Sequence, residues 1–231
     1  MSTAPSLLLS VRELPTTAEL SRSVSSLTEA FPLLDNADYI QQLFPKDGSP
    51  AHGRVACERI GALSLLPQIL RDMGLDPAAT VLARDGAGRP YLVGRPADFN
   101  LSHSSAHAAC AAVPPPYRVG VDVEEPIPPS RAEALARRYC TEGERAMMAD
   151  SAVDFTLIWT VREAMAKYEG KGNPVAYDAS RPLPGVRLLG GRLAGTDTRL
   201  TLCCSADVDG PVGITSDSLD VIWDLDVTIK A

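Results

Sequence analysis

The sequence predicts an α+β protein, on three observations. Val119, Val121 and Val123 alternate with Gly120, Asp122 and Glu124. At a period of two this is a strand with valines on one face and both carboxylates on the other. From Trp159 to Lys167 the period changes: Trp159, Glu163 and Lys167 fall four apart and stack along one face of a helix. Proline- and glycine-rich turns separate segments of both kinds, and Pro114-Pro115-Pro116 is the sharpest of them.

In chain order, the apolar run Ser6–Val11 reads as a first strand near 6–12, followed by a helical stretch near 17–29. Val55, Ile60, Leu63, Leu66 and Ile69 approximate helical spacing and predict one helix from about 53 to 73. Strand-like pieces follow at 80–84, 90–93 and 106–113. Beyond the carboxylate strand, Pro126, Pro128 and Pro129 lead into a helix at about 130–139. Thr141-Glu142-Gly143-Glu144 has the form of a capping box opening the next helix. The helix bearing Glu163 should end near Gly170-Lys171-Gly172, and short strands with glycine turns complete the chain. The Pro114–Pro116 run divides the sequence into an N-terminal half, 1–115, and a C-terminal half, 116–231.

Composition narrows the function classes. A length of 231 residues, 45% of them hydrophobic and 22% charged, is ordinary for a globular protein with a real core. No apolar run reaches the roughly 18 residues that span a bilayer. Ser6–Val11 lacks the basic leader and cleavage site of a signal peptide, so a cytoplasmic protein without membrane attachment is expected. A net charge of −7 argues against nucleic-acid binding, which needs a basic footprint. The five cysteines, Cys57, Cys110, Cys140, Cys203 and Cys204, show no zinc or redox spacing and are expected reduced and mostly buried.

The residues that carry chemistry are acids, a lysine and scattered cations. Two acids on one strand face also describe a solvated strand, but Asp122 lies between valines, where an unpaired carboxylate suffers a desolvation cost. A bound Mg2+ would remove that cost. Glu163 and Lys167 could form a plain surface pair. Against that, their stripe is headed by Trp159 and rotated away from the apolar face Ile158, Val161, Met165 and Tyr168, which suggests a cleft wall. Phe99-Asn100-Leu101-Ser102-His103-Ser104 puts a hydroxyl and an imidazole at a strand entrance, where they could bind phosphate or form a structural turn. Arg84 and Arg89 flank the turn Gly86-Ala87-Gly88, and guanidinium groups match phosphate geometry. No hydrolase triad can be located.

In this order, Gly88-Arg89-Pro90-Tyr91, Phe99–Ser104, Val119–Glu124 and Trp159–Lys167 with Glu169-Gly170-Lys171-Gly172 resemble the 4′-phosphopantetheinyl transferases of the larger, Sfp type. The resemblance spans roughly residues 44 to 178. It implies a fold of two similar halves related by a pseudo-twofold axis, with the active site in the cleft between them, working as a monomer. It also implies transfer of the phosphopantetheine arm of coenzyme A to a serine of an acyl or peptidyl carrier protein, with release of adenosine 3′,5′-bisphosphate.

By the same resemblance, Asp122, Glu124 and Glu163 would hold Mg2+ on the pyrophosphate, and Glu163 would deprotonate the incoming serine. Lys167 would neutralise phosphate charge, while Arg84, Gly88, Arg89, Ser102 and His103 would meet the nucleotide and its phosphates. Lys46 matches a basic position used for the 3′-phosphate, and Arg54 could share that task, since Ala37–Leu43 lacks the basic residues some members carry there. Arg162 stands where the family usually has lysine, and phosphate contact is expected of it, although its wheel position also admits a structural role. Two rival functions suit parts of the pattern: a non-catalytic homologue that grips carrier proteins, and a Mg2+-dependent phosphohydrolase using the same acids on water.

Overall fold

A computed structural model describes residues 7–43, 50–149, 153–208, 212–215 and 218–230. It is the α+β protein the sequence predicts, built on two four-stranded sheets. The first has the order β4-β5-β1-β9, from β1 (Leu8–Glu13), β4 (Asp98–His103), β5 (His107–Val113) and β9 (Gly213–Ile214). The second has the order β10-β7-β8-β6, from β6 (Val119–Glu124), β7 (Val186–Leu193), β8 (Arg199–Ser205) and β10 (Val221–Ile229). A two-stranded ribbon, β2 (Leu82–Arg84) with β3 (Pro90–Leu92), stands beside the first sheet. β9 returns late in the chain to pair in parallel with β1.

The alternation read from the sequence decides the layering. Leu9, Val11, Ala109, Ala111 and Val113 of the first sheet meet Val119, Val121, Val123, Leu200 and Leu202 of the second in one shared core. Helices cover the outer faces. α1 (Leu20–Ala30), α2 (Leu34–Gln41), α3 (Pro50–Leu63) and α4 (Leu66–Asp72) pack on Phe99, Ala108, Cys110 and Ala112. α5 (Pro129–Tyr139), α6 (Glu142–Met148) and α7 (Phe155–Glu169) pack on Val186, Leu188 and Cys203. Cys203 and Cys204 therefore face opposite cores, and all five cysteines are free and buried. Among the described residues no helix is long and apolar enough to cross a membrane.

Three expectations change. The single helix of 53–73 is two helices, α3 and α4, with Pro67 in the first turn of the second. Proline has no N–H to offer the preceding turn, so the first helix stops before it. α2 was not expected; its Asn36 is buried and bridges to the ribbon, donating to Thr80 O and accepting from the Leu82 N–H, each at 2.7 Å. Asp98–His103 is a full strand rather than the approach to one.

Other readings hold. Thr141 and Glu144 form the capping box that opens α6. α7 starts at Asp154, whose carboxylate accepts from the Leu157 N–H at 2.8 Å. It ends at Gly170, which takes the left-handed conformation (φ 75°) that glycine adopts without strain.

α7 lies directly against β6, and Gly120 is the reason it can. A Cβ at that position would stand 2.2 Å from the Ala164 carbonyl oxygen and 2.5 Å from the Tyr168 nitrogen. Backbone meets backbone here, as glycine inside a strand permits. This contact brings the α7 side chains down to the carboxylate face of β6.

Candidate active site

The acids and the lysine converge at the seam between the sheets. Asp122 is buried, and Lys167 Nζ donates to its Oδ1 at 2.6 Å. Ser102 Oγ, from β4, donates to the same oxygen at 2.9 Å and accepts from Lys167 Nζ at 2.9 Å. β6, α7 and β4 thus contribute one group each to a closed triangle. The cost of burying Asp122 is met by this ammonium and hydroxyl within the protein, where the sequence reading had assigned it to a metal.

Glu124 and Glu163 stand beside that triangle with an excess of negative charge. Burial pushes the Glu124 carboxyl up to about 7, and the charges of Asp122, Glu125 and Glu163 add to the shift, against Arg131. Glu163 is also raised, by burial first and then by Asp122, with Lys167 opposing. Among the described residues no three His, Cys, Asp or Glu side chains already converge as a ligand group for a metal ion. The charge surplus and the all-oxygen donor set of Asp122, Glu124 and Glu163 nonetheless suit a hard divalent cation.

Glu125 belongs to a separate latch. It accepts from Ser104 Oγ (2.7 Å), from the Ser105 N–H (2.7 Å) and Oγ (2.6 Å), and sits 2.9 Å from His107 Nδ1. Burial would push its carboxyl up, but these hydrogen bonds outweigh that and hold it at about 2. The latch ties the β4–β5 turn to the end of β6, next to Glu124.

On the N-terminal side, Tyr39, Gln42, Arg59, Arg84, Leu101 and His103 help to line a cavity of about 400 Å³. Arg84 lies over the Tyr39 ring at 4.9 Å and donates to Gly88 O at 2.9 Å. Burial pushes the His103 imidazole down, and the nearby charges of Lys167 and Arg59 push the same way against Glu58 and Asp122. His103 Nδ1 lies 3.8 Å from Glu58. Tyr39 of α2 and Glu58 and Arg59 of α3 escaped the sequence reading: nothing in the periodicity of either helix distinguishes a face turned to a cavity from one turned to solvent.

Several expected residues stand elsewhere. Arg162 is not in the cleft. Its Nε donates to Glu144 Oε1 at 2.6 Å and its Nη2 to Tyr139 O at 2.9 Å, and both charged side chains are buried. α7 is buried on most of its circumference, so the position that looks toward a cleft on an exposed helix points here into α6. Arg89 is likewise spent internally, on Asp98 (2.8 Å), Val119 O (2.9 Å) and the Lys167 carbonyl. It fastens the ribbon to β4, β6 and α7. Gly88 forms the turn with φ 84°. Arg54 is exposed and pairs with Glu58 at 3.1 Å. Lys46 lies outside the described residues. Trp159 stacks on Phe155 with ring centroids 6.1 Å apart.

The fold and site define an α+β protein with an acid–ammonium cluster beside a basic cavity at the junction of two sheets. Residues 118–184, which hold β6 through α7, match the family described as the 4′-phosphopantetheinyl transferase superfamily. The chain is 32% identical over 109 residues to the 4′-phosphopantetheinyl transferase HetI of Nostoc sp. (strain PCC 7120 / SAG 25.82 / UTEX 2576), covering 43% of this chain and 46% of that protein. It is 29% identical over 126 residues to the 4′-phosphopantetheinyl transferase Sfp of Bacillus subtilis (strain 168), covering 52% and 54%. The chain thus matches about half the length of each relative. These matches bear out the family resemblance read from the motifs.

Proposed function

We propose that this protein transfers the 4′-phosphopantetheine arm of coenzyme A to a serine of an apo acyl or peptidyl carrier protein, with Mg2+. The observation that carries the reading is the Ser102–Asp122–Lys167 triangle with Glu124 and Glu163 beside it, next to the cavity of Arg59, Arg84 and His103. In this reading the cavity takes the adenosine bisphosphate end of coenzyme A, on Arg84, Arg59 and His103. Asp122, Glu124 and Glu163 would hold Mg2+, which when bound would neutralise the charge of the pyrophosphate and of the leaving group.

Lys167 stands at the same junction and offsets phosphate charge from the protein side. The carrier serine oxygen forms a bond to the phosphorus that carries pantetheine, and the bond from that phosphorus to adenosine bisphosphate breaks. Glu163 takes the serine proton. Its raised carboxyl lies nearer to the operating pH than an ordinary glutamate, as a general base requires. Phosphoryl transfer needs positioning and charge neutralisation more than covalent help, and these residue types supply both. We further propose a cytoplasmic monomer that attaches to neither membrane nor nucleic acid, in line with its net charge of −7.

The test is mass spectrometry of an apo carrier protein incubated with the protein, coenzyme A and Mg2+. The expected result is a carrier heavier by one phosphopantetheine arm, with one adenosine 3′,5′-bisphosphate per carrier. Coenzyme A cleaved with the carrier unchanged would establish the phosphohydrolase instead. A carrier bound but never modified would establish the non-catalytic homologue.

A further inference from the structure

β6 is the edge of its sheet. Its partner β8 lies on one side only, yet the other edge is buried against β4. β4 does not pair with it through the backbone. Instead, alternate β4 side chains take the exposed N–H groups one by one. Asp98 Oδ2 accepts from the Val119 N–H at 2.8 Å, Asn100 Oδ1 from the Val121 N–H at 2.9 Å, and Ser102 Oγ from the Val123 N–H at 3.3 Å. Arg89 Nη2, itself bonded to Asp98, donates to Val119 O at 2.9 Å and completes the first rung.

The match in period is what makes this work. Both strands repeat every two residues, so Asp98, Asn100 and Ser102 stand opposite Val119, Val121 and Val123 in step. A buried edge strand without partners would leave three N–H donors unpaired, each at a cost comparable to a lost hydrogen bond. The last rung is also a corner of the active-site triangle. Ser102 Oγ accepts from the Val123 N–H and Lys167 Nζ and donates to Asp122, which uses all of the hydroxyl's hydrogen-bonding capacity.

We propose that Asn100 is a positioning residue: with Asp98 and Ser102 it forms a side-chain ladder that replaces a strand and fixes the height of Asp122 and Lys167 against the N-terminal cavity. Asn100 is buried, and its rung pairs the backbone immediately before Asp122. Losing that rung frees β6 to shift along β4. The reacting groups on β6 and α7 then lose their alignment with a nucleotide held by α3 and the ribbon. This inference rests on the transfer reaction proposed above, and the experiment separates the two.

Amide hydrogen exchange of the wild-type protein reads the ladder without reference to activity. The Val119, Val121 and Val123 amides should exchange within about tenfold of the interior amides of β8. Exchange at the rate of an open edge strand would overturn the ladder. Kinetics then reads the positioning. Asn100→Leu keeps the branching of the side chain but loses the acceptor, and kcat should fall on the order of 10²-fold with little change in KM for coenzyme A. Asn100→Asp restores an acceptor oxygen and should recover at least about tenfold of that loss. A folded Asn100→Leu protein with wild-type kcat, or with only KM affected, refutes the positioning role, as does equal loss in both variants. If Asn100→Leu does not fold, Asn100→Asp against wild type and the exchange data decide. If wild type shows no transfer at all, the proposed function fails while the exchange data still judge the ladder.

Discussion

Arg162 and Glu144 form a buried ion pair, with Arg162 Nε donating to Glu144 Oε1 at 2.6 Å. The same carboxylate accepts from the Thr141 N–H at 2.9 Å to close the capping box of α6, and from the Ala179 N–H at 2.7 Å. One glutamate therefore caps a helix, anchors the strand-bound loop after α7 and neutralises the arginine one position before Glu163. The pair sets the seat of α7 from the protein interior.

Removing either partner leaves a buried charge unpaired, which costs about 3–5 kcal/mol. Arg162→Met and Glu144→Gln should lower the urea midpoint accordingly. Arg162→Lys, which keeps the charge but not the two-pronged geometry, should fall between these and wild type, with KM for coenzyme A unchanged in the folded protein. A raised KM with unaltered stability would return Arg162 to the substrate site.

The pair also makes acid stability depend on Glu144. Burial pushes its carboxyl up, but the hydrogen bonds from Arg162, Ala179 and Thr141 and the Arg162 charge outweigh this and leave it below the ordinary glutamate value. A carboxyl lowered by folding contributes stability that is fully present above its unfolded pKa, about 4.3, and is lost as pH falls through the folded value. The Tm gap between wild type and Glu144→Gln should therefore narrow in acid. A gap constant from pH 7 to pH 3 would contradict this.

Asp122→Ala removes a charge shared by Lys167 and Ser102. It should reduce transfer on the order of 10²-fold or more, the scale of losing a main electrostatic group. The carrier mass-shift assay at limiting Mg2+ measures it, beside circular dichroism for the fold. Near-normal turnover would remove Asp122 from the metal site.

Glu163→Gln occupies the same space but takes no proton. Calorimetry should find coenzyme A binding largely kept while transfer fails. Binding and rate lost in proportion would assign Glu163 to binding alone.

Glu124, at about 7 in the free protein, should make Mg2+ binding pH-dependent. The proton has to leave before the carboxylate can bind metal, so affinity should fall as pH drops below about 7 and flatten above it. Glu124→Gln should make that slope shallower, since Glu163, also raised, still has a proton to lose. An unchanged slope would place the titrating group elsewhere.

Gly120→Ala would put a methyl group into the backbone of α7 at Ala164 and Tyr168. Overpacking of this kind costs about 1–3 kcal/mol and more where backbone cannot yield. Lower Tm together with reduced kcat is the expected outcome, since the helix carrying Glu163 and Lys167 must back away from Asp122. Wild-type values for both would show that α7 adjusts freely.

Local pattern made much of this molecule legible in its sequence. Alternation put Val119, Val121 and Val123 in a core with Asp122 and Glu124 opposite, the Thr141–Glu144 box opened α6, and Gly170 closed α7. Those features depend on neighbours within a few residues, which periodicity and capping chemistry report directly. The convergence of Asp122 with Lys167 was suggested by order and family resemblance, but the Ser102 corner required β4 beside β6.

Tertiary packing alone decided the fates of the cations and of the polar face of β4. Arg89, Arg162 and Arg59 are the same residue type, yet one fastens the seam, one pairs inside α6–α7 and one lines the cavity. A guanidinium reaches several ångströms from its backbone, so its partner is whichever acceptor the fold brings within that reach, often far away in sequence. Asp98, Asn100 and Ser102 likewise present an ordinary polar stripe that periodicity assigns to solvent. They face β6 because two sheets joined by one core leave a buried strand edge that must be hydrogen-bonded, and the sequence of neither strand states that requirement.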